Sequence, residues 1–315
     1  VALLGRSRAS LLACALAAAG GMAARAEGAP TNLLYIGEGG IALADGNEQG
    51  RDWRNFSINL VDGSNQYGWT SAPGTRFPHT LVFELERRSV IHRVALDSSF
   101  APVVGYDGRR SEPPAGGPAR RFRLWGVGPA GAGLAGAAQP VLLLEGELPR
   151  SSRAEYALAA PATVEALRLE ILDNWGDEAR THLAEFEAIG SKVEGAPVNA
   201  SGIDGLYAHE YGPIALRRDG DKVSGCYLNG AGALEGLVSG RVMRLAFLEP
   251  ANGRMGAVTF VAAHDQLYGF WFNPLDAMGS PWNAPKVAGL VGDLGKCAWL
   301  RPSPGAQAPG EGSSR

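Results

Sequence analysis

The run Asn174-Trp175-Gly176-Asp177 sets an indole between an amide and a carboxylate, in a stretch that reads as a loop. These residue types suit a sugar. The flat indole stacks on the apolar face of a pyranose, while Asn and Asp engage its hydroxyls. Trp175 can instead fold back onto the sheet edge as core, and the sequence leaves both arrangements open. A second cluster, Tyr106, Asp107, Arg109 and Arg110, falls in a stretch rich in Gly, Pro and Arg. The planar fork of arginine donors suits a carboxylate or an acidic sugar, and solvated loop chemistry is the plainer reading. Arg121 and Arg123 alternate onto one face beside Arg120, a short basic stripe without interleaved aromatics and so a poor nucleic-acid signal.

Other patterns fail on inspection. Gly126-Val127-Gly128-Pro129-Ala130-Gly131 fits G-x-G-x-x-G, yet a Gly/Ala-rich run follows it. No helix N-terminus is then available for a pyrophosphate. The histidines 79, 92, 182, 209 and 264 have no metal-ligand spacing, and His209-Glu210 lacks the second His of a zinc protease. No G-x-S-x-G elbow surrounds any Ser. Asp173 and Asp177 flank Trp175 and could serve as a glycosidase pair, but nothing else supports that chemistry.

The elements that must carry these residues are strands. The chain has 44 Gly and 20 Pro in 315 residues, which favours turns and short strands over long helices. With 29 basic and 32 acidic residues the formal charge is −3, which argues against a general nucleic-acid binder. Leu81–Leu85, Ile91–Leu96, Arg121–Trp125, Val141–Leu144, Ala166–Leu172 and Leu183–Ile189 read as strands. In the second, Ile91, Arg93 and Ala95 alternate against His92, Val94 and Leu96. In the third, Phe122 and Leu124 share a face; in the fifth, Leu167, Leu169 and Ile171 do. Val141–Leu144 is a continuous apolar run, as expected of a strand covered on both sides. Residues 105–120 read as a long exposed loop and 126–139 as a flexible excursion. Residues 191–204 read as a linker.

Residues 205–300 keep a different rhythm. Tyr211–Arg218, Lys222–Leu228, Leu234–Val238, Arg241–Leu248, Met255–Ala262 and Leu267–Phe272 are strands separated by turn residues such as Asp219-Gly220-Asp221 and His264-Asp265. A chain of hairpins makes a meander, and closing it into a barrel removes the exposed edges. A barrel of this size could hold one small ligand or be filled by its own side chains, and the filled barrel is the expectation. From 301 to 315 the tail has little to bury and is expected to be disordered.

Residues 1–26 read as a secretory signal, with Arg6 and Arg8, an Ala-rich stretch and the small-x-small site Ala24-Arg25-Ala26. Leu11-Leu12-Ala13-Cys14 resembles a lipoprotein box, but its apolar run lies after the Cys, so a chance Cys is the preferred reading and the lipid anchor is left open. No transmembrane span is expected in the mature chain. Two cysteines then remain, Cys226 and Cys297. An even count in an exported chain suggests one disulfide, worth roughly 4 kcal/mol if unstrained.

Residues 32–190 resemble the discoidin, or coagulation-factor type C, family of galactose-binding-like jelly rolls. The resemblance is carried by Leu60-Val61-Asp62-Gly63 with Gly68-Trp69-Thr70-Ser71, by Leu81–Leu85 with Ile91–Val94, and by Leu167–Gly176 with Leu183–Gly190. It implies a binding module, most often for carbohydrate and sometimes for lipid or protein. It also implies a structural calcium at Asp62 and Glu185, although Ser64-Asn65-Gln66 lacks a second carboxylate. Asp62 capping a turn and Glu185 as a solvated strand residue is the simpler alternative. Residues 205–300 resemble lipocalin-like or avidin-like meander barrels in pattern only.

The expectation is an exported all-β protein: a discoidin-like jelly-roll sandwich followed by an antiparallel meander β-barrel. It is expected to be non-catalytic and to bind a glycan or envelope component through Tyr106, Asp107, Arg109, Asn174, Trp175 and Asp177. The alternative is a structural or adaptor protein that binds another envelope protein. A hydrolase with its site in the barrel ranks last.

Overall fold

The computed structural model describes residues 30–44, 52–104, 110–111, 116–128, 139–176, 179–210, 212–227, 231–273 and 276–288. The signal-like segment, the tail and Cys297 lie outside them. Among the described residues the fold is all-β, and helix is confined to the short 3-10 turns Ile36–Glu38, Trp53–Asn55 and Ser57–Val61. No helix there is long and apolar enough to cross a membrane.

The first module is a sandwich. Its large sheet runs Thr31–Asn32, Glu185–Lys192, His79–Asp97, Arg153–Ile171, Arg121–Val127, Val141–Glu147, and Ile41–Ala44 also pairs with His79–Asp97. A small sheet of Trp69–Thr70, Thr181–Leu183 and Gly117–Pro118 covers it. Leu81, Phe83, Leu124, Leu167, Leu169 and Trp69 are wholly buried between the layers. The alternation read at Phe122/Leu124 and at Leu167/Leu169/Ile171 is present.

Four readings need correction. The two strands at 81–85 and 91–96 are one 19-residue strand, His79–Asp97. Its register slips between Ile91 and Arg93, so the extra residue His92 forms a bulge. The bulge puts Ile91 on the buried side with Val94 and Leu96 rather than opposite them. The strand read as starting at Ala166 starts at Arg153, because its Ala-rich first half carries little pattern and Pro161 sits where pairing lapses. Val141–Glu147 is an edge strand, not a covered one: Val141 and Leu142 are 64% and 43% exposed. Within the expected 105–120 loop, Gly117 and Pro118 are buried and pair in parallel with Thr181–Leu183.

The second module is a meander barrel. Its strands follow one another from Ile214–Asp219 through Lys222–Tyr227, Gly232–Ser239, Val242–Glu249 and Arg254–Ala263 to Gln266–Asn273. Gly205–Tyr207 and Ala284–Val287 complete an eight-strand closure. The turns have the chemistry that tight hairpins require. Gly220 and Gly240 take φ of 62° and 58°, and His264 and Asp265 both lie at positive φ, 51° and 53°. Tyr207, Leu216, Met243, Leu245 and Phe260 fill the interior.

The barrel lies side-on against the sandwich. Its outward-facing Val242, Val261, Ala263, Tyr268 and Phe270 join the sandwich's own core. Where the turn at Gly240 meets the sandwich, Arg241 is 1% exposed. Its guanidinium donates to Glu84 Oε1, to Gly39 O (2.8 Å), to Leu85 O (2.9 Å) and to Val198 O (2.6 Å). Glu84 Oε2 receives Asn199 Nδ2 at 2.6 Å and lies 2.9 Å from His264 Nε2. A buried guanidinium needs this full set of acceptors. The seam is therefore fixed by geometry as well as by apolar contact.

Candidate ligand-binding site

The end of the sandwich that holds Trp175 is built from strand exits. After Ile171 the chain leaves the large sheet, enters the small one at Thr181 and returns to the large one at Glu185. Asn174 closes that crossing: its Nδ2 donates to Arg180 O (3.0 Å) and to Thr181 Oγ1 (2.9 Å). Its side chain holds the loop in shape, a role different from the sugar-hydroxyl contact read for it.

Trp175 follows, anchored to the edge of the sandwich. The ring is half-buried. Its Nε1 donates to Leu148 O at 2.9 Å, and the Arg120 guanidinium lies 4.4 Å from the ring centroid. Arg120 is itself held by Glu147 Oε1 at 3.1 Å. The indole is thus oriented by one edge and capped by a cation, a stack worth about 0.5–1 kcal/mol at an exposed site. Asp173 grips Arg121 through both oxygens, at 2.9 Å to the main-chain N and 2.6 Å to Nε. Arg123 pairs with Glu145 at 2.5 Å. The basic stripe is therefore neutralised, and Asp173 is not a free acid/base group.

The 72–78 loop reaches the same end, tied by Gly74 N to Ala179 O at 2.9 Å. It carries Arg76 and Phe77, both exposed; the Phe77 ring lies 4.6 Å from that of His79. Neither was read from sequence, although an aromatic inside Thr75-Arg76-Phe77-Pro78, with no neighbouring apolar run, was a signal of exposure. Tyr106, Asp107, Arg109 and Asp177 lie outside the described residues.

Asp62 and Glu185 are brought together. Asp62 Oδ1 accepts from Ser64 N at 2.7 Å, as a turn cap does, and Glu185 Oε1 accepts from Gly63 N at 3.2 Å. Glu185 Oε2 is buried without a hydrogen-bond partner. Glu185 is not a solvated strand residue: it is 6% exposed. Burial pushes the Asp62 carboxyl up to about 8. Burial, and then the charge of Asp62, hold Glu185 well above the usual carboxylate range. A buried carboxyl with an orphan oxygen beside a half-buried one is an arrangement a cation would relieve. Among the described residues no three His, Cys, Asp or Glu converge, so main-chain carbonyls would have to complete a shell.

No known protein family matches the chain. No curated protein matches it either. Solved structures do. The chain is similar to the family 32 carbohydrate-binding module of Clostridium perfringens NanJ in complex with galactose, at 14% identity, 51% of this chain, 98% of that one and a TM-score of 0.38. It is similar to chitosan-binding module 1 of a Paenibacillus chitosanase/glucanase (17%, 51% and 99%, 0.38). It is also similar to allantoicase from Saccharomyces cerevisiae (14%, 51% and 43%, 0.38).

Proposed function

We propose that this is an exported, non-catalytic protein that binds carbohydrate through the loops at the Trp175 end of its sandwich. The observation that carries the reading is that Trp175 and exposed Phe77 sit on two loops joined by the Gly74–Ala179 hydrogen bond, with Arg120 over the Trp175 ring and Arg76 next to Phe77 in the chain. Fixed aromatic faces beside fork-shaped donors suit a pyranose with its hydroxyls. Tyr106, Asp107, Arg109 and Asp177 belong to the same reading as rim residues. The engagement of Asp173 by Arg121 supports a non-catalytic role.

Three further features belong to this reading. Asp62 and Glu185 would hold a calcium ion that braces the loop and relieves their mutual repulsion. Cys226, buried on the outer side of the barrel against Ala215, pairs with Cys297. The chain divides into the sandwich at 32–190 and the barrel at 205–300, and export follows from the signal-like segment at 1–26. A glycan array probed with the mature chain, with Trp175→Ala and with Phe77→Ala tests the central point. Binding that both variants lose supports it. Binding that both retain, or none at all by a folded chain, overturns it.

A further inference from the structure

The filled interior of the barrel stops short of one end. There a cavity of about 770 Å³ opens, within the range of small-molecule sites. Tyr227, Phe247, Trp271 and Trp282 line it from the barrel, and Trp53 and Phe56 from the sandwich. The floor is blind. The Tyr227 and Trp282 rings meet edge-on at 5.0 Å, Phe260 packs beneath Trp282 at 5.4 Å, and all three residues are buried. Trp271 stands on one wall, half-buried, 6.3 Å from Phe247.

The opposing rim comes from the other module. Trp53 opens a 3-10 turn capped by Asp52, whose side chain accepts from Arg54 N. Its carbonyl accepts from Asn59 Nδ2 at 2.9 Å, and its ring packs edge-on against Tyr67 at 4.9 Å. That wall is therefore rigid, and the Arg241–Glu84 seam holds it against the barrel.

Polar groups are few and unevenly satisfied. Glu249 is fully engaged: Tyr227 Oη donates to it at 2.9 Å, Asn252 Nδ2 at 2.7 Å, and Arg254 lies 3.8 Å away. The Trp282 indole N–H, by contrast, is buried with no acceptor. Asn283 uses its Oδ1 to accept from Gly269 N at 3.1 Å, which leaves its NH₂ as the end available to a ligand. Buried donors without acceptors are costly unless something fills the site with oxygen. The fixed charges are Glu249, Glu210 and Arg254, with Arg254 beside Glu249, so nothing here favours an anion.

We propose that the barrel mouth is a second, composite ligand site, built by both modules, that takes a neutral sugar ring at the end of a chain. The ring lies between Trp271 and Trp53, with its oxygens toward the Asn283 amide. The blind floor selects a terminal unit over an internal one. This site is separate from the Trp175 end and stands or falls apart from it.

The test is a titration of the full mature chain with glucose, galactose, mannose, N-acetylglucosamine and N-acetylgalactosamine, with glucuronate as the acidic comparison. Saturation-transfer NMR and tryptophan fluorescence read the binding. At least one neutral sugar should bind saturably and better than glucuronate. Trp271→Ala should weaken it about 30-fold, as removal of a central aromatic anchor does. Trp53→Ala should weaken it as well, and Arg123→Ala, which breaks an exposed pair on the sandwich, should leave it within twofold. If Trp271→Ala does not fold, Trp53→Ala on the neighbouring module decides. Absence of saturable binding for all five sugars, or unchanged affinity in Trp53→Ala, overturns the proposal.

Discussion

Glu84→Gln should destabilise the whole chain far more than any surface charge change. Glu84 is the only carboxylate bonded to Arg241 among the described residues, and their side chains are 7% and 0% exposed. The substitution keeps the shape and removes the charge. Arg241 then remains a buried cation whose acceptors are the carbonyls of Gly39, Leu85 and Val198. The new amide also turns an NH₂ toward Asn199 Nδ2 and His264, where two acceptor contacts stood. Breaking one side of a buried pair costs about 3–5 kcal/mol. The surviving carbonyl contacts place this case near the lower end. At about 2–4 °C per kcal/mol, a loss of about 3 kcal/mol lowers Tm by roughly 6–12 °C. The assay is thermal and urea unfolding of parent, Glu84→Gln, Arg241→Met and the double variant. The double variant should recover part of the loss, because no unpaired charge remains. Arg123→Ala, which breaks a pair 45% and 55% exposed, should cost about 1 kcal/mol or less. A Tm for Glu84→Gln within 2 °C of the parent would refute the assignment of the seam to this ion pair.

The remaining predictions concern pH, metal and redox state. The Glu84 hydrogen bond raises the His264 pKa above its ordinary value, against burial and the nearby charge of Arg241, with Asp265 adding slightly. Its stabilisation is therefore complete below about pH 6.5 and is lost as pH rises through the raised value. His264→Asn, which tolerates the positive φ, should flatten the stability profile between pH 6 and 8.5; parallel profiles would count against the contact. Calcium at a hundred times its Kd should stabilise the chain by about 2.7 kcal/mol, and Glu185→Gln should abolish that shift; an equal shift in the variant would remove Glu185 from the site. Reducing the Cys226–Cys297 bridge should cost roughly 4 kcal/mol, and alkylation of both thiols in the untreated chain, read by mass, would disprove the pairing.

Patterns of period two and turn chemistry are local, and they were legible. The hairpins of the barrel follow from residues such as Gly220, Gly240 and the His264-Asp265 pair, whose φ values the turns demand. The buried face Leu167, Leu169 and Ile171 was equally plain. Register was not. The His92 bulge and the lapse around Pro161 depend on which neighbour each strand pairs with, and that is a non-local choice. The exposure of Val141 and Leu142 was hidden for the same reason, since a run of four apolar residues does not say whether its strand lies at an edge.

Local pattern alone specified an all-β chain of short strands and tight turns. What individual side chains do was set by packing. Asn174 is drawn into closing its own loop, and Arg120, just before a strand more than fifty residues away, caps Trp175. Arg241, one of many arginines in the sequence, becomes the buried fastener of two modules. Trp53 and Trp271, more than two hundred residues apart, face one cavity. Each of these depends on burial and on partners distant in the chain, and a short-range pattern carries no record of either.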